Sequence, residues 1–295
     1  MRKRARVCAQ TALLVVGASA ATAQTPGGTD PTVDPRVTVS VGYELHVERL
    51  RYTFHNLSNF DTPFLVPHEF TQSYAAGNHW LVGWVRYRLA SERLTTEVGI
   101  TPDRLTRGSD FDTFDNPDGD TIVTGTDGEV QMRSLRFAQW SETSLFGLPW
   151  RVGYRYERDR TRFLPADRVV THTRPPSETR TLTFDRETTI SQVHEIPIEV
   201  SLGPAHLRGW SLRFGGNMSP IIWARLTTTL PDKYPGRDVV FDAKALGYGA
   251  RVEIQSRTPR WPLTVSVHYG RTWRYTAARD FHRSVLQLAA TVGVR

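Results

Sequence analysis

The chain has 295 residues, 39% hydrophobic and 23% charged, and a formal net charge of +7. It holds no run of about 18 uninterrupted apolar residues, which excludes a transmembrane helix. Four of the positive charges (Arg2, Lys3, Arg4 and Arg6) stand at the start; without them 33 basic residues face 30 acidic ones, a net of +3 that gives no ground for a nucleic-acid partner.

Residues 1–23 have the layout of a secretory signal peptide. A basic n-region precedes a short apolar core at Leu13 to Val16, and Ala21-Thr22-Ala23 offers the small-residue exit. The only cysteine, Cys8, lies inside this segment, so the expected mature chain has no disulfide framework and no thiolate metal site. Residues 24–36 form a Pro/Gly/Asp linker, and residues 37–295 read as one β-barrel domain.

Strict alternation begins at Val37. Val37, Val39, Val41, Tyr43, Leu45 and Val47 are apolar, with Thr38, Ser40, Gly42, Glu44, His46 and Glu48 between them. A period of two marks a strand with one apolar and one polar face. The phase changes near Glu48–Arg49, where Leu50, Tyr52 and Phe54 take over, which suggests a bulge. The pattern recurs around Leu81–Leu89, Leu94–Ile100, Trp150–Tyr156, Ile196–Val200, Trp210–Met218, Tyr248–Ile254, Leu263–Tyr269 and Leu286–Val294. Residues 130–140 are strand-like with an ambiguous phase around Ser134. That gives ten strands, an even number. Short links near 91–92, 141–149, 201–209 and 256–260 alternate with long ones near 55–79, 101–129, 159–186, 219–244 and 271–283.

Short turns at one end and long loops at the other are the layout of a ten-stranded antiparallel transmembrane barrel of the outer-membrane type, apolar face to lipid and polar face to the lumen. Trp150, Trp210 and Trp261 each open a strand after a short turn and read as a periplasmic aromatic girdle; Tyr43, Trp140 and Trp223 extend the belts.

The lumen then carries the best-specified chemistry. A two-residue hairpin at the Arg88–Arg93 turn is expected to set Arg86 across from Glu97, and the same barrel logic could place Glu44 and His46 beside Arg88 and Arg86. Arg151 faces Glu199 and Arg155 faces Glu195, two pairs with one register sum. Arg213 and Glu253 are partners on adjacent strands, with Arg251 nearby. Acid opposite base on neighbouring strands is favourable. Ten strands leave a bore that side chains largely fill. The expectation is a salt-bridged plug, with a narrow pore past Arg86, Arg155 and Arg251 as the alternative.

Over residues 37–295 the chain resembles small bacterial outer-membrane β-barrel proteins. The resemblance implies export to the outer membrane, contact with its lipid and lipopolysaccharide, insertion by the barrel-assembly machinery and a monomeric state. Such proteins finish on an aromatic residue, whereas this chain finishes Val292-Gly293-Val294-Arg295. In strand count it also resembles the omptin proteases, which pair two aspartates in an outer loop with an Asp/His pair across the mouth. Asp110-Phe111-Asp112 matches the first half; Asp232, Asp238 and Asp242 have no histidine beside them for the second.

Asp110, Asp112, Asp115, Asp118 and Asp120 crowd the second long link and offer hard oxygen ligands of the kind Ca²⁺ takes, though Asn116-Pro117-Asp118-Gly119 is also an ordinary turn. His55, His68, Glu69 and His79 lack any fixed metal spacing, and no nucleophile elbow or phosphate-cradling glycine loop occurs. No cofactor is implied. Arg168, His172, Arg174 and Arg180 make the third long link basic.

Overall fold

The computed structural model describes residues 37–55, 69–89, 92–115, 121–164, 166–172, 179–184, 187–229, 231, 236, 238–256, 263–274 and 279–294. The expected signal peptide, the linker, Trp261, Asp118 and Asp120 lie outside them, as do the side chains of Asp115, Arg168, His172, Arg174 and Arg180.

The described residues form thirteen strands: β1 (Val37–His55), β2 (Glu69–Leu89), β3 (Glu92–Ile100), β4 (Arg104–Asp115), β5 (Thr121–Leu145), β6 (Leu148–Phe163), β7 (Ala166–His172), β8 (Thr179–Phe184), β9 (Thr188–Leu207), β10 (Trp210–Thr229), β11 (Asp238–Ser256), β12 (Leu263–Arg274) and β13 (Arg279–Val294). All pairings are antiparallel. The circuit closes where β1 pairs β13, Val39 opposite Val294 through to Phe54 opposite Arg279. β3 and β4 together make the third wall, lying between β2 and β5. β7 and β8 form a hairpin that leaves the circuit, attached to it through β5. The result is a closed antiparallel barrel of ten walls.

The walls run far beyond the alternating segments. Residues expected in long links, such as 104–115, 121–129 and 219–229, continue the ladders as strand. Alternation signals a strand clearly where one face is held apolar, as the outer face is where it meets lipid. Beyond the bilayer both faces tolerate polar side chains, and the backbone keeps its ladder without the signature.

The same boundary explains the phase change near Glu48–Arg49, which is no bulge. The register from Val39 to Phe54 is unbroken against β13, and from Val37 to His55 against β2. The outward face passes from Val41, Tyr43 and Val47 to Arg49 and Arg51 without turning. Around Ser134 the pairing with β6 is likewise continuous. Below it Leu135 and Phe137 face out; above it Met132 and Val130 are buried and Arg133 is exposed.

Three true frame changes occur among the described residues, each beside a proline, which cannot donate to the ladder; one is the shift between Leu212 and Phe214, opposite Ala205 and Leu202, at Pro204. In the third wall, β3 pairs β5 as Arg93 with Glu142, but β4 pairs it as Arg104 with Met132, one residue out of step. The gap at Thr101–Asp103 is bridged by Ser134 N donating to Thr101 Oγ1 at 2.8 Å. Side chains alternate with period two, so one added residue exchanges the faces. Asp110 and Asp112 point inward on that account. In β10 a shift between Ser219 and Ile222, at Pro220, turns Ile222, Ala224 and Leu226 into the interior.

Candidate functional site

The lumen within the apolar belt is a charged interior centred on Arg136. This arginine lies on β5 in the stretch whose phase sequence reading left open. Its Nη2 sits 2.6 Å from Glu44 Oε2 and its Nε 2.7 Å from Glu97 Oε1. Glu157 is its direct neighbour across β5 and β6. His46 Nε2 lies 2.9 Å from Glu44 Oε2. Trp80 lies against both side chains, with the Arg136 guanidinium 4.8 Å from its ring centre and the His46 ring centroid 5.6 Å away. Bidentate-capable arginine suits such a place because it keeps its charge when buried.

The next group lies toward the short-turn end. Arg151 donates from Nε and Nη2 to Glu199 Oε2 at 3.0 and 2.6 Å, and its guanidinium lies 3.9 Å above the Trp140 ring. Arg155 pairs with Glu195 directly opposite it. Glu253 takes Arg251 at 2.5 Å and Arg213 at 3.6 Å. His268 Nε2 stands 3.2 Å from Asn217 Oδ1. Between these groups a cavity of about 50 Å³, bordered by His46, Arg136, Arg155, Glu157, Glu195 and His268, has room for a few waters.

The structure brings together the expected pairs Arg151–Glu199, Arg155–Glu195 and Arg213–Glu253. Sequence reading misplaced the Arg86 pair. Leu89 opposes Glu92, so Arg86 faces Thr95, and Glu97 faces Trp84, whose Nε1 donates to it at 3.1 Å. Glu44 and His46 lie opposite Trp80 and Asn78, well away from Arg86 and Arg88, which are exposed at the short-turn end. The turn is centred one residue earlier than the expected pairing requires, so the register sum moves by two.

Trp140 is buried in the lumen rather than set in an outer belt. It lies on Gly153, where an added Cβ would come within 2.7 Å of its ring. Trp84 lies on Gly42 in the same way. An inward tryptophan beside a glycine on the neighbouring wall was the sequence signal for these filled positions. Trp150 and Trp210 each stand just after a tight turn, and Trp210 is exposed. Tyr43 is exposed on the outer face, its hydroxyl bonded to His79, and Trp223 joins an aromatic group there with His194 at 4.9 Å.

Above the belt the interior changes character. Tyr74, Phe163, Met132, Ile222 and Leu226 are fully buried, with the Tyr74 and Phe163 rings 6.0 Å apart. A polar network crosses this core. Gln72 donates to Glu187, Tyr74 OH donates to Gln72 Oε1 at 2.8 Å, Thr189 donates to the same oxygen at 3.2 Å and meets Thr228 at 3.0 Å. Burial first, and then the Glu187 charge, push the Tyr74 phenol well above its ordinary value.

Asp110 and Asp112 belong to this interior, at 0% and 1% exposure. They are ladder residues of β4, opposite Thr126 and Thr124, and Thr124 donates to Asp112 at 3.3 Å. They are therefore not part of a calcium-binding loop, and Asp115 is the last residue of the same strand. Among the described residues no group of three or more His, Cys, Asp or Glu is arranged to hold a metal.

No family model matches the chain, and no curated protein sequence is significantly similar to it. Among solved structures it is similar to the outer membrane protease OmpT from Escherichia coli, with a TM-score of 0.57, 10% identity, and coverage of 87% of this chain and 95% of that one. It also matches the β-domain of the Bordetella autotransporter BrkA, with a TM-score of 0.36, 10% identity, and coverage of 86% and 98%. An outer membrane channel from Pseudomonas putida F1 gives 0.33, 10%, 90% and 100%. The chain therefore has the ten-stranded, closed, antiparallel barrel fold of the outer-membrane type. The likeness to OmpT concerns the fold.

Proposed function

We propose that this chain is a non-conducting, non-enzymatic barrel of the bacterial outer membrane. Its extended outer walls serve a surface role, and its lumen is a salt-bridged plug. On this reading residues 1–23 are a cleaved signal peptide, the barrel-assembly machinery inserts the chain as a monomer, and Trp150 and Trp210 lie at the periplasmic interface. One observation carries the plug: Arg136 is held by buried Glu44 and half-buried Glu97, beneath the indole of Trp80. Each of these groups fills part of a bore that ten strands leave narrow.

The test is planar-bilayer recording on refolded residues 24–295, with insertion checked by heat-modifiable gel migration. The reading expects no steady steps from inserted protein. Steps that change in Arg136→Ala would make the lumen a pore.

A hydrolase is the second reading, favoured by the inward-turned Asp110 and Asp112 at the outer end of the barrel. It expects peptide cleavage by the refolded protein that Asp112→Asn abolishes; an absence of cleavage at any pH from 5 to 9 counts against it.

A further inference from the structure

On the outer face of β5 and β6, just above the apolar belt, four arginines stand together. Arg133 and Arg160 are directly opposite each other in the ladder, and both are exposed. Arg158 and Arg162 are the next residues on the same face of β6, opposite Leu135 and Gln131. Like charges directly opposed across a ladder are unfavourable unless something neutralises them. Among the described residues no carboxylate forms an ion pair with any of the four. The contrast is Arg225, equally exposed on β10, whose Nε lies 3.1 Å from Asp242.

Immediately below the patch the same two strands present exposed Leu135, Phe137 and Tyr154. Beside them is an aromatic group in which Tyr154 OH meets His194 Nδ1 at 2.7 Å and Gln192 donates to Tyr156 OH at 3.2 Å. A ligand that satisfies both levels has phosphates above and acyl chains below.

We infer that the Arg133–Arg158–Arg160–Arg162 face docks the phosphorylated headgroup of an outer-leaflet glycolipid, its acyl chains lying along Leu135, Phe137 and Tyr154. The assignment rests on the outer-membrane placement proposed above. Arginine's planar fork suits phosphate oxygens bidentately, and a headgroup bridging Arg133 and Arg160 removes their repulsion.

The test uses the mature barrel refolded in zwitterionic detergent, titrated with fluorescent diphosphorylated lipid A, with its dephosphorylated form and with inorganic phosphate as competitor. Each arginine at a lipid surface is worth about fivefold in affinity, so Arg133→Gln with Arg160→Gln should weaken binding about 30-fold. Arg158→Gln with Arg162→Gln should do the same independently, and Arg225→Gln should stay within about twofold, because Asp242 already occupies that side chain. Equal binding of lipid with and without phosphates overturns the inference, as does an unchanged affinity in both double variants. Displacement by equimolar inorganic phosphate overturns it in favour of a free-anion site. Heat-modifiable migration of every variant reports separately on the barrel, so a failure of folding is not confused with a failure of the patch.

Discussion

The lower and upper halves of this barrel reverse each other's solvent logic. In the lower half valines and leucines such as Val37, Val41, Leu81 and Leu288 face outward, while Glu44, Arg136, Arg151 and Glu199 fill the interior. In the upper half Arg51, Arg158 and Arg160 face outward, while Tyr74, Phe163, Ile222 and Leu226 form the core. The strands run through both halves with the same ladders. Lipid outside the lower half forces apolar residues there and leaves polarity to the lumen. Water outside the upper half permits the ordinary arrangement, with the hydrophobic effect packing the interior. One backbone thus serves two solvents, and only the side chains record the crossing.

The sharpest break in that comparison comes from removing a lower-half cation. Arg136→Ala strands Glu44 and Glu97 without their partner, and breaking a buried pair costs about 3–5 kcal/mol. Urea unfolding of the refolded barrel, followed by tryptophan fluorescence, should show a lower midpoint; an unchanged midpoint would mean water neutralises these carboxylates.

In the upper half Leu226→Ala should cost about 2–5 kcal/mol by opening a cavity in a dry core. The same unfolding experiment reads it, and a cost below about 1 kcal/mol would mean that this end is hydrated rather than packed.

The outer surface sharpens the contrast through one pair of substitutions on β1. Val41→Arg puts a charge on the lipid face and should cost about 2–4 kcal/mol in a bilayer if it sits near the midplane. Arg51→Val lies in the aqueous half and should shift stability by no more than about 0.5 kcal/mol. Equal effects from the two would erase the proposed boundary between Val47 and Arg49.

Gly153→Ala is a smaller perturbation. The added methyl meets Trp140 and the Gln139 carbonyl, and overpacking of this kind costs about 1–3 kcal/mol. A blue or red shift of tryptophan emission should accompany it, because Trp140 must move.

Much of the lower half was legible in the sequence because lipid imposes alternation. Strand positions, the outward valines and three of the lumen pairs followed from period two and register arithmetic. Arg136, the centre of the lumen, was missed because the apolar residues of β5 change sides at Ser134, two positions away, and that blurred the phase of the whole strand. The Arg86 register failed for a different reason: the turn after Leu89 is centred one residue earlier than assumed, a choice that composition does not encode. Little of the upper half was legible, since its interior mixes apolar residues such as Tyr74 and Leu226 with polar ones such as Gln72, Asp110 and Thr189, which blurs the alternation and makes the strands read as loops. The aspartate-rich stretch shows this well, having the composition of a loop and the hydrogen bonding of β4.

The single-residue offset at Thr101–Asp103 works like a reading-frame change in the side-chain code. Every residue of β4 downstream of it owes its orientation to that one position rather than to its own identity. Deleting one residue there would carry Asp110 and Asp112 to the water side and bring Leu105 and Phe111 into the bore, recasting the outer mouth in one genetic event. Point substitution would need many steps to do the same. Insertions and deletions beside Pro102 and Pro220 are therefore the economical route by which a barrel of this kind acquires a new interior above an unchanged membrane belt.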